Sequence, residues 1–195
     1  MGSGKNTVGE IIQKLCITNN GPQFEQKAFA GKLKQIASLL TGIPVEKFEN
    51  QEFKKQEMSE EWGMTYRVFL QKLGTEAMRD GLHENVWCNA LFADYVPAVK
   101  EWDEFGNDTL IEYPSWCITD MRFLNEMEAV KERGGITIRV VRPVHALSQD
   151  NHCGILHPSE TSLDNEEFDY TIVNDSTIED LVEKVREILI NEKIL

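Results

Sequence analysis

The chain has no run approaching the roughly 20 apolar residues that a membrane span needs, which argues against an integral membrane protein. Its opening, MGSGKNTVGE, contains no apolar core segment of the kind a secretory signal carries. Cysteine is sparse and scattered. Cys16, Cys88, Cys117 and Cys153 form no CxxC pair, so the expectation is reduced thiols in a cytoplasmic protein. Positive charge is also in short supply: 20 Lys and Arg stand against 33 Asp and Glu, a formal net charge of -13. Such a chain is a poor general binder of nucleic acid polymers, whose backbones need neutralising cations. A small phosphorylated ligand is a different case, because a few arginines, backbone amides and a metal ion can hold it locally. No internal repeat and no low-complexity segment is present.

What is there suits a folded α/β protein. The 195 residues, 41% hydrophobic and 27% charged, fit one compact domain or one domain carrying an insertion. Val8, Ile11, Ile12 and Leu15 make an apolar stripe that predicts a helix over 5–16, stopped by the turn signals Asn19-Asn20-Gly21-Pro22. A second helix fits 29–40 and ends near Gly42 and Pro44. Residues 45–64 are charged and irregular and read as a surface excursion or a mobile substrate-side loop. Helices over 65–80 and 84–102 follow, then a polar connection over 103–114. Beyond it the pattern changes. A strand over 116–119 ends at Asp120, and a helix over 124–133 is closed by Gly134-Gly135. The β-branched run 136–141 suits a parallel strand; a loop over 143–165 leads to a strand at 170–173 and a last helix at 178–190. This alternation predicts a mostly parallel sheet, with a helical insertion over about 43–115 and a candidate lid over 143–165.

The start of the chain carries the chemistry. Gly2-Ser3-Gly4-Lys5-Asn6-Thr7 runs directly into the first helix. Glycines allow a tight loop, and a helix head offers free amides and a partial positive charge. Lys5 supplies a mobile cation for phosphate oxygens, and the Thr7 hydroxyl can help seat Mg²⁺. The plain alternative is a flexible terminus with a chance GSGK. Only four residues precede Lys5, so the strand and first glycine of a complete Walker A motif are missing. Three origins fit: truncation, a start assigned too far downstream, or a real loss of triphosphate affinity. Losing a central parallel strand would leave its two neighbours unpaired.

Further along, Asp120 ends an apolar strand, the edge where open α/β sheets bind ligands. It can hold Mg²⁺, or merely cap the next helix. Arg122 can bind phosphate and stabilise charge on a transferred group. Arg142 ends the following strand at the same edge. Arg139 reads instead as a strand residue facing a surface carboxylate, and Lys32 and Lys34 as a solvated helix face. Asn125 and Glu126 are weaker candidates, with satisfying the helix start as the plain alternative. Arg67, Gln71 and Gly74 at i, i+4 and i+7 share one helical face, where an arginine fork, an amide and a close approach suit a nucleotide. Spacing alone fits an ordinary amphipathic helix slightly better. His152, Cys153 and His157 offer three ligands in one loop with no partner cluster, so a chance grouping outweighs a zinc site. Trp62, Trp87, Trp102 and Trp116 read as core or cover residues, with base stacking by Trp62 a minor alternative.

Four segments in order give the chain a family resemblance: Gly2-Ser3-Gly4-Lys5-Asn6-Thr7-Val8, Phe29–Lys34, Arg67–Arg79, and Thr119-Asp120-Met121-Arg122-Phe123-Leu124-Asn125-Glu126 with His157-Pro158-Ser159-Glu160 beyond. Together they resemble the phage-type deoxynucleoside monophosphate kinases. The resemblance implies a P-loop NTPase-like, three-layer α/β/α fold with a helical substrate-binding insertion, here lacking its first strand. It implies ATP and Mg²⁺, a deoxynucleoside monophosphate as acceptor, and contacts to that acceptor from Arg67, Gln71, Gly74 and Arg142. In this reading Lys5, Asp120 and Arg122 are the catalytic residues, Gly2 to Thr7 hold the ATP phosphates, and Thr7 and Asp120 seat the metal. Partners are small nucleotides, with neither nucleic acid polymer nor membrane; a homodimer is left open. The rivals are another P-loop kinase, of dephospho-CoA or phosphomevalonate type, and a non-catalytic nucleotide binder. The kinase reading requires Lys5 to lie near the strand end that carries Asp120 and Arg122.

Overall fold

A computed structural model describes residues 3–102, 108–143 and 162–195. Gly2, the His152, Cys153 and His157 group, and most of the 143–165 loop lie outside the described residues. The chain divides into two compact units, one of Met1–Lys27 with Pro97–Leu195, the other of Ala28–Val96.

In the first unit the opening stripe becomes the buried face of a helix. Helix α1 (Lys5–Thr18) buries Val8, Ile11, Ile12, Leu15 and Cys16. Those side chains share one core with Ile172 and with Leu181, Val185, Ile188 and Leu189 of the terminal helix, Ile178–Asn191. Each fully buried aliphatic side chain contributes about 1.5–3 kcal/mol. Net stabilities are only about 5–15 kcal/mol, so this shared core is what holds the unit together. Thr177 starts the terminal helix: its hydroxyl accepts from Asp180 N–H at 3.3 Å, and the Asp180 carboxylate accepts from Thr177 N–H at 3.4 Å.

Among the described residues the strands form two parallel pairs and one antiparallel pair. Strand β1 (Phe24–Lys27) pairs in parallel with β4 (Ser115–Ile118), from Phe24 opposite Ser115 to Lys27 opposite Ile118. Strand β5 (Ile138–Val141) pairs in parallel with β6 (Tyr170–Val173). Strands β2 (Ala98–Trp102) and β3 (Asp108–Glu112) are antiparallel, with register shifts. Where the sequence predicts one mostly parallel sheet, no ladder joins β1–β4 to β5–β6 among the described residues. Phe24 and Cys117 from one pair and Ile138 and Val140 from the other nevertheless pack against the same core. Thr137, 2% exposed, leads into β5. Its N–H and hydroxyl donate to the Asp169 carboxylate at 2.7 and 2.6 Å, and this fixes the start of the β5–β6 pair.

The second unit is helical: α2 (Gly31–Thr41), a 3₁₀ turn (Val45–Glu49), α3 (Gln51–Lys54), α4 (Tyr66–Gln71) running on as a π-helix (Lys72–Asp80), and α5 (Val86–Phe92). Its core is Ala37, Phe48, Met58 and Phe69. Residues 45–64 are therefore no surface excursion, since Phe48 is 0% exposed and Met58 9%. Short 3₁₀ and turn segments give their few apolar anchors no helical period to detect.

The helix predicted over 84–102 stops at Phe92, and Ala98–Trp102 is a strand. Pro97 cannot continue a helix and marks the change. Strand β1 has no counterpart in the sequence reading, because FEQK offers one large apolar residue and takes its definition from β4. Helix α6 (Leu124–Lys131) and the terminal helix, α7, fall where the pattern predicts. No helix among the described residues is long and apolar enough to cross a membrane.

Candidate active site

Gly4 sits at the head of α1 with φ of 102°, a left-handed conformation that a side chain would strain. The first helical bond is Val8 N–H to the Gly4 carbonyl, 2.9 Å. Among the described residues no side chain caps this end, and its first turn carries no acidic residue. The amides of the first turn, at Lys5, Asn6 and Thr7, thus have no intrahelical acceptor. Asn6 is exposed and Thr7 half-buried. Lys5 Nζ donates to Ser3 Oγ at 3.3 Å. On the loop's other side, Asn174 Nδ2 donates to the Ser3 carbonyl at 2.8 Å.

The turn from β4 into α6 carries Asp120 and Arg122. The cap of α6 is Phe123, so Asp120 is not the helix cap that the plain alternative required. Capping falls to Glu126, 3% exposed, whose Oε2 accepts from Arg122 N–H at 2.7 Å and from Phe123 N–H at 3.1 Å. A buried carboxylate thereby fixes the backbone at Arg122, whose own side chain is exposed.

Arg122 lies near enough to Lys5 for its charge to act on the ammonium. The Lys5 ammonium is held below the ordinary lysine value by desolvation and then by the Arg122 guanidinium. Lys5 is an exposed residue, so of the two causes the neighbouring charge is the one that its surface position supports. Two cations beside free helix-head amides repel one another and are relieved by an anion. The chemistry on offer is phosphate binding and the neutralising of charge on a transferred group.

Arg142 follows β5 and is exposed. Asn174, just past β6, continues that ladder by donating its N–H to the Val141 carbonyl at 2.7 Å. Arg139 faces backbone rather than the expected carboxylate. It donates to the carbonyls of Leu163, Asp164 and Glu166 and stacks over the Phe168 ring at 4.5 Å.

In the helical unit Arg67 and Gln71 lie one turn apart on α4, which Thr65 caps through Val68 N–H. Arg67 Nη2 donates to Gln51 Oε1 at 3.1 Å, and Gln71 is exposed. Gly74 departs from the predicted face. From Lys72 the helix winds as a π-helix, so α-helical spacing no longer holds. Gly74 is buried, a Cβ there would come within 2.9 Å of Leu33 Cδ2, and its carbonyl accepts the Trp87 indole N–H at 2.9 Å. Helix packing accounts for this glycine. Lys32 pairs with Asp94 at 2.8 Å and Lys34 with Glu49 at 2.6 Å. Trp62, 38% exposed, packs edge-on against Phe69.

Among the described residues no three His, Cys, Asp or Glu gather as a metal site. A Mg²⁺ held by Thr7 and Asp120 would complete its shell with phosphate oxygens and water, as Mg²⁺ commonly does.

Parallel strand pairs whose carboxyl ends meet an uncapped helix head, beside Lys5 and Arg122, are the parts of an α/β phosphotransferase. Comparison with known proteins narrows the class. Residues 26–185 match the family model described as deoxynucleotide monophosphate kinase, a stretch that takes in Arg67, Gln71, Asp120, Arg122 and Arg142. A protein of Acanthamoeba polyphaga mimivirus assigned that name is 30% identical over 196 residues, covering 94% of this chain and 89% of its own. The deoxynucleotide monophosphate kinase of Escherichia phage RB69 is 30% identical over 63% of this chain. That of Enterobacteria phage T4 is 27% identical over 68%. The chain spans 44% and 47% of those two phage proteins' lengths. The chain belongs to the deoxynucleotide monophosphate kinase family, and is a kinase.

Sequence reasoning missed the part Asn174 plays, while its reading of Glu126 as satisfying the helix start matches the capping bonds. Asn174 stood in a turn signal, Asn174-Asp175-Ser176, and its place one residue past β6 is the clue that was available.

Proposed function

We propose that the chain transfers the γ-phosphoryl group of ATP to the 5′-phosphate of a deoxynucleoside monophosphate, giving ADP and the diphosphate. The observation that carries this reading is the convergence of Lys5 and Arg122 at the uncapped head of α1. The acceptor phosphate is already anionic, so no strong base and no covalent intermediate are needed; catalysis is positioning and charge neutralisation.

The amides and side chains of Ser3, Gly4, Asn6 and Thr7 would hold the ATP phosphates, with Lys5 on the β- and γ-oxygens. Thr7 and Asp120 would seat Mg²⁺, which when bound spreads the charge of the transferred group. Arg122 would stabilise that group in flight. Arg67, Gln71 and Arg142 would hold the acceptor; Gly74 drops out as a packing residue. The ATP-phosphate contact expected from Gly2 falls outside the described residues.

The test is a coupled assay for ADP over a panel of deoxynucleoside monophosphates, with dephospho-CoA as control. Turnover on at least one monophosphate, lost in Lys5→Ala without a fall in melting temperature, supports the proposal. Full activity in Lys5→Ala, or turnover on dephospho-CoA alone, overturns it.

A further inference from the structure

We infer that Asn174 is a positioning residue for the phosphate loop, aiming the Gly4 N–H at bound phosphate. The inference rests on the proposed ATP site and assigns it a residue from the far end of the chain. The Ser3–Gly4 peptide is planar and trans, so the Ser3 carbonyl and the Gly4 N–H point in opposite directions. Asn174 Nδ2 holds that carbonyl at 2.8 Å. The Gly4 N–H is therefore turned away from Asn174.

The anchor is itself fixed. Asn174 N–H donates to the Val141 carbonyl at 2.7 Å, so the side chain projects from the end of the β5–β6 ladder. Contact is close enough to dictate the loop residue as well. A Cβ on Gly4 would lie 2.6 Å from Asn174 Nδ2, and Gly4 already has a φ of 102°. A donor aimed before the ligand arrives needs no reorganisation when charge develops, which is the advantage of a preorganised site.

The experiment compares wild type with Asn174→Ala and Asn174→Asp. Asp is close in size but turns an acceptor toward the Ser3 carbonyl. One neutral hydrogen bond contributes up to about tenfold in binding. The expected result is an ATP KM raised about tenfold in Asn174→Ala and further in Asn174→Asp, with the KM for the acceptor and the melting temperature little changed. An unchanged ATP KM in both variants overturns the assignment. So does an equal rise in both KM values together with a lower melting temperature, the pattern of general structural damage. Calorimetric titration with ATP separates this inference from the activity on which it rests. If wild type binds ATP without turnover and Asn174→Ala binds it more weakly, phosphoryl transfer fails and the positioning role stands. If wild type does not bind ATP, both fall.

Discussion

Gly9 of α1 lies against the Thr119 methyl group, so close that a Cβ at position 9 would stand 2.9 Å from Thr119 Cγ2. The same Cβ would also touch Cys117 Sγ and Gln26 Nε2, each at 3.4 Å. This is where α1 meets the β1–β4 pair, one residue before Asp120. Two effects of Gly9→Ala oppose each other. Alanine in a helix interior gains about 0.5–1 kcal/mol, whereas overpacking a tight contact costs about 1–3 kcal/mol. Thr119 is β-branched and cannot swing aside, so the clash wins. Denaturant unfolding of Gly9→Ala should show a net loss of about 1–2 kcal/mol. Equal or greater stability would mean that the strand gives way.

Thr137 and Asp169 set the acid limit of the β5–β6 pair. The Asp169 carboxyl is held below the ordinary value of 3.8, chiefly by the Thr137 hydroxyl, with further help from the Thr137 amide and Lys131. A carboxyl depressed in the fold stabilises above the unfolded value and loses that contribution as pH falls through the folded one. The relevant window is therefore below about pH 4. Thr137→Val should cost about 1–2 kcal/mol at neutral pH and flatten the acid limb of stability against pH. An acid limb as steep as that of wild type would remove Asp169 from this role.

The thiols of Cys16 and Cys117 should be inert in the native protein. Cys16 is fully buried and its thiol is raised by burial; that of Cys117 is pushed up to about 11 by burial and by Cys16. Only the thiolate reacts, and at neutral pH both groups are overwhelmingly thiols. Peptide mapping after alkylation should find neither residue labelled until denaturant is added. Rapid labelling of Cys117 in the native state would contradict its packing against the core.

Glu126 holds two amides at the turn that carries Arg122. Glu126→Ala leaves both amides without this acceptor and should cost about 2–3 kcal/mol. Glu126→Gln keeps an acceptor oxygen and should recover about half of that loss, read as a partial return of melting temperature. Equal melting temperatures for the two variants would show that the carboxylate does not cap the turn.

Legibility followed periodicity. The α1 stripe, β6, α6 and α7 each show a repeat or a β-branched run, and each is found within a few residues of its predicted bounds. Phe24–Lys27 and Ala98–Trp102 show neither, because their pairing partners lie elsewhere in the chain. Site residues divided in the same way. Lys5 and Arg122 stood out as cations at a helix head and a strand end. Gly74 misled because the turn around it is π rather than α, a change that composition does not announce. Asn174 was hidden because its partner, Ser3, lies 171 residues away.

That last separation bears on how the protein comes off the ribosome. The loop's anchor and the partners of the α1 stripe, Ile172 and the buried face of α7, are made long after α1 and the loop themselves. A nascent chain that has emerged only as far as β5 therefore holds α1 without Ile172 and the α7 face that cover part of its apolar side, and without the Asn174 tether on its opening loop. Contacts this distant in sequence form late. Tethering of the loop then waits for β6 and Asn174 to emerge, and until then the uncovered part of the stripe is a surface that a chaperone can hold.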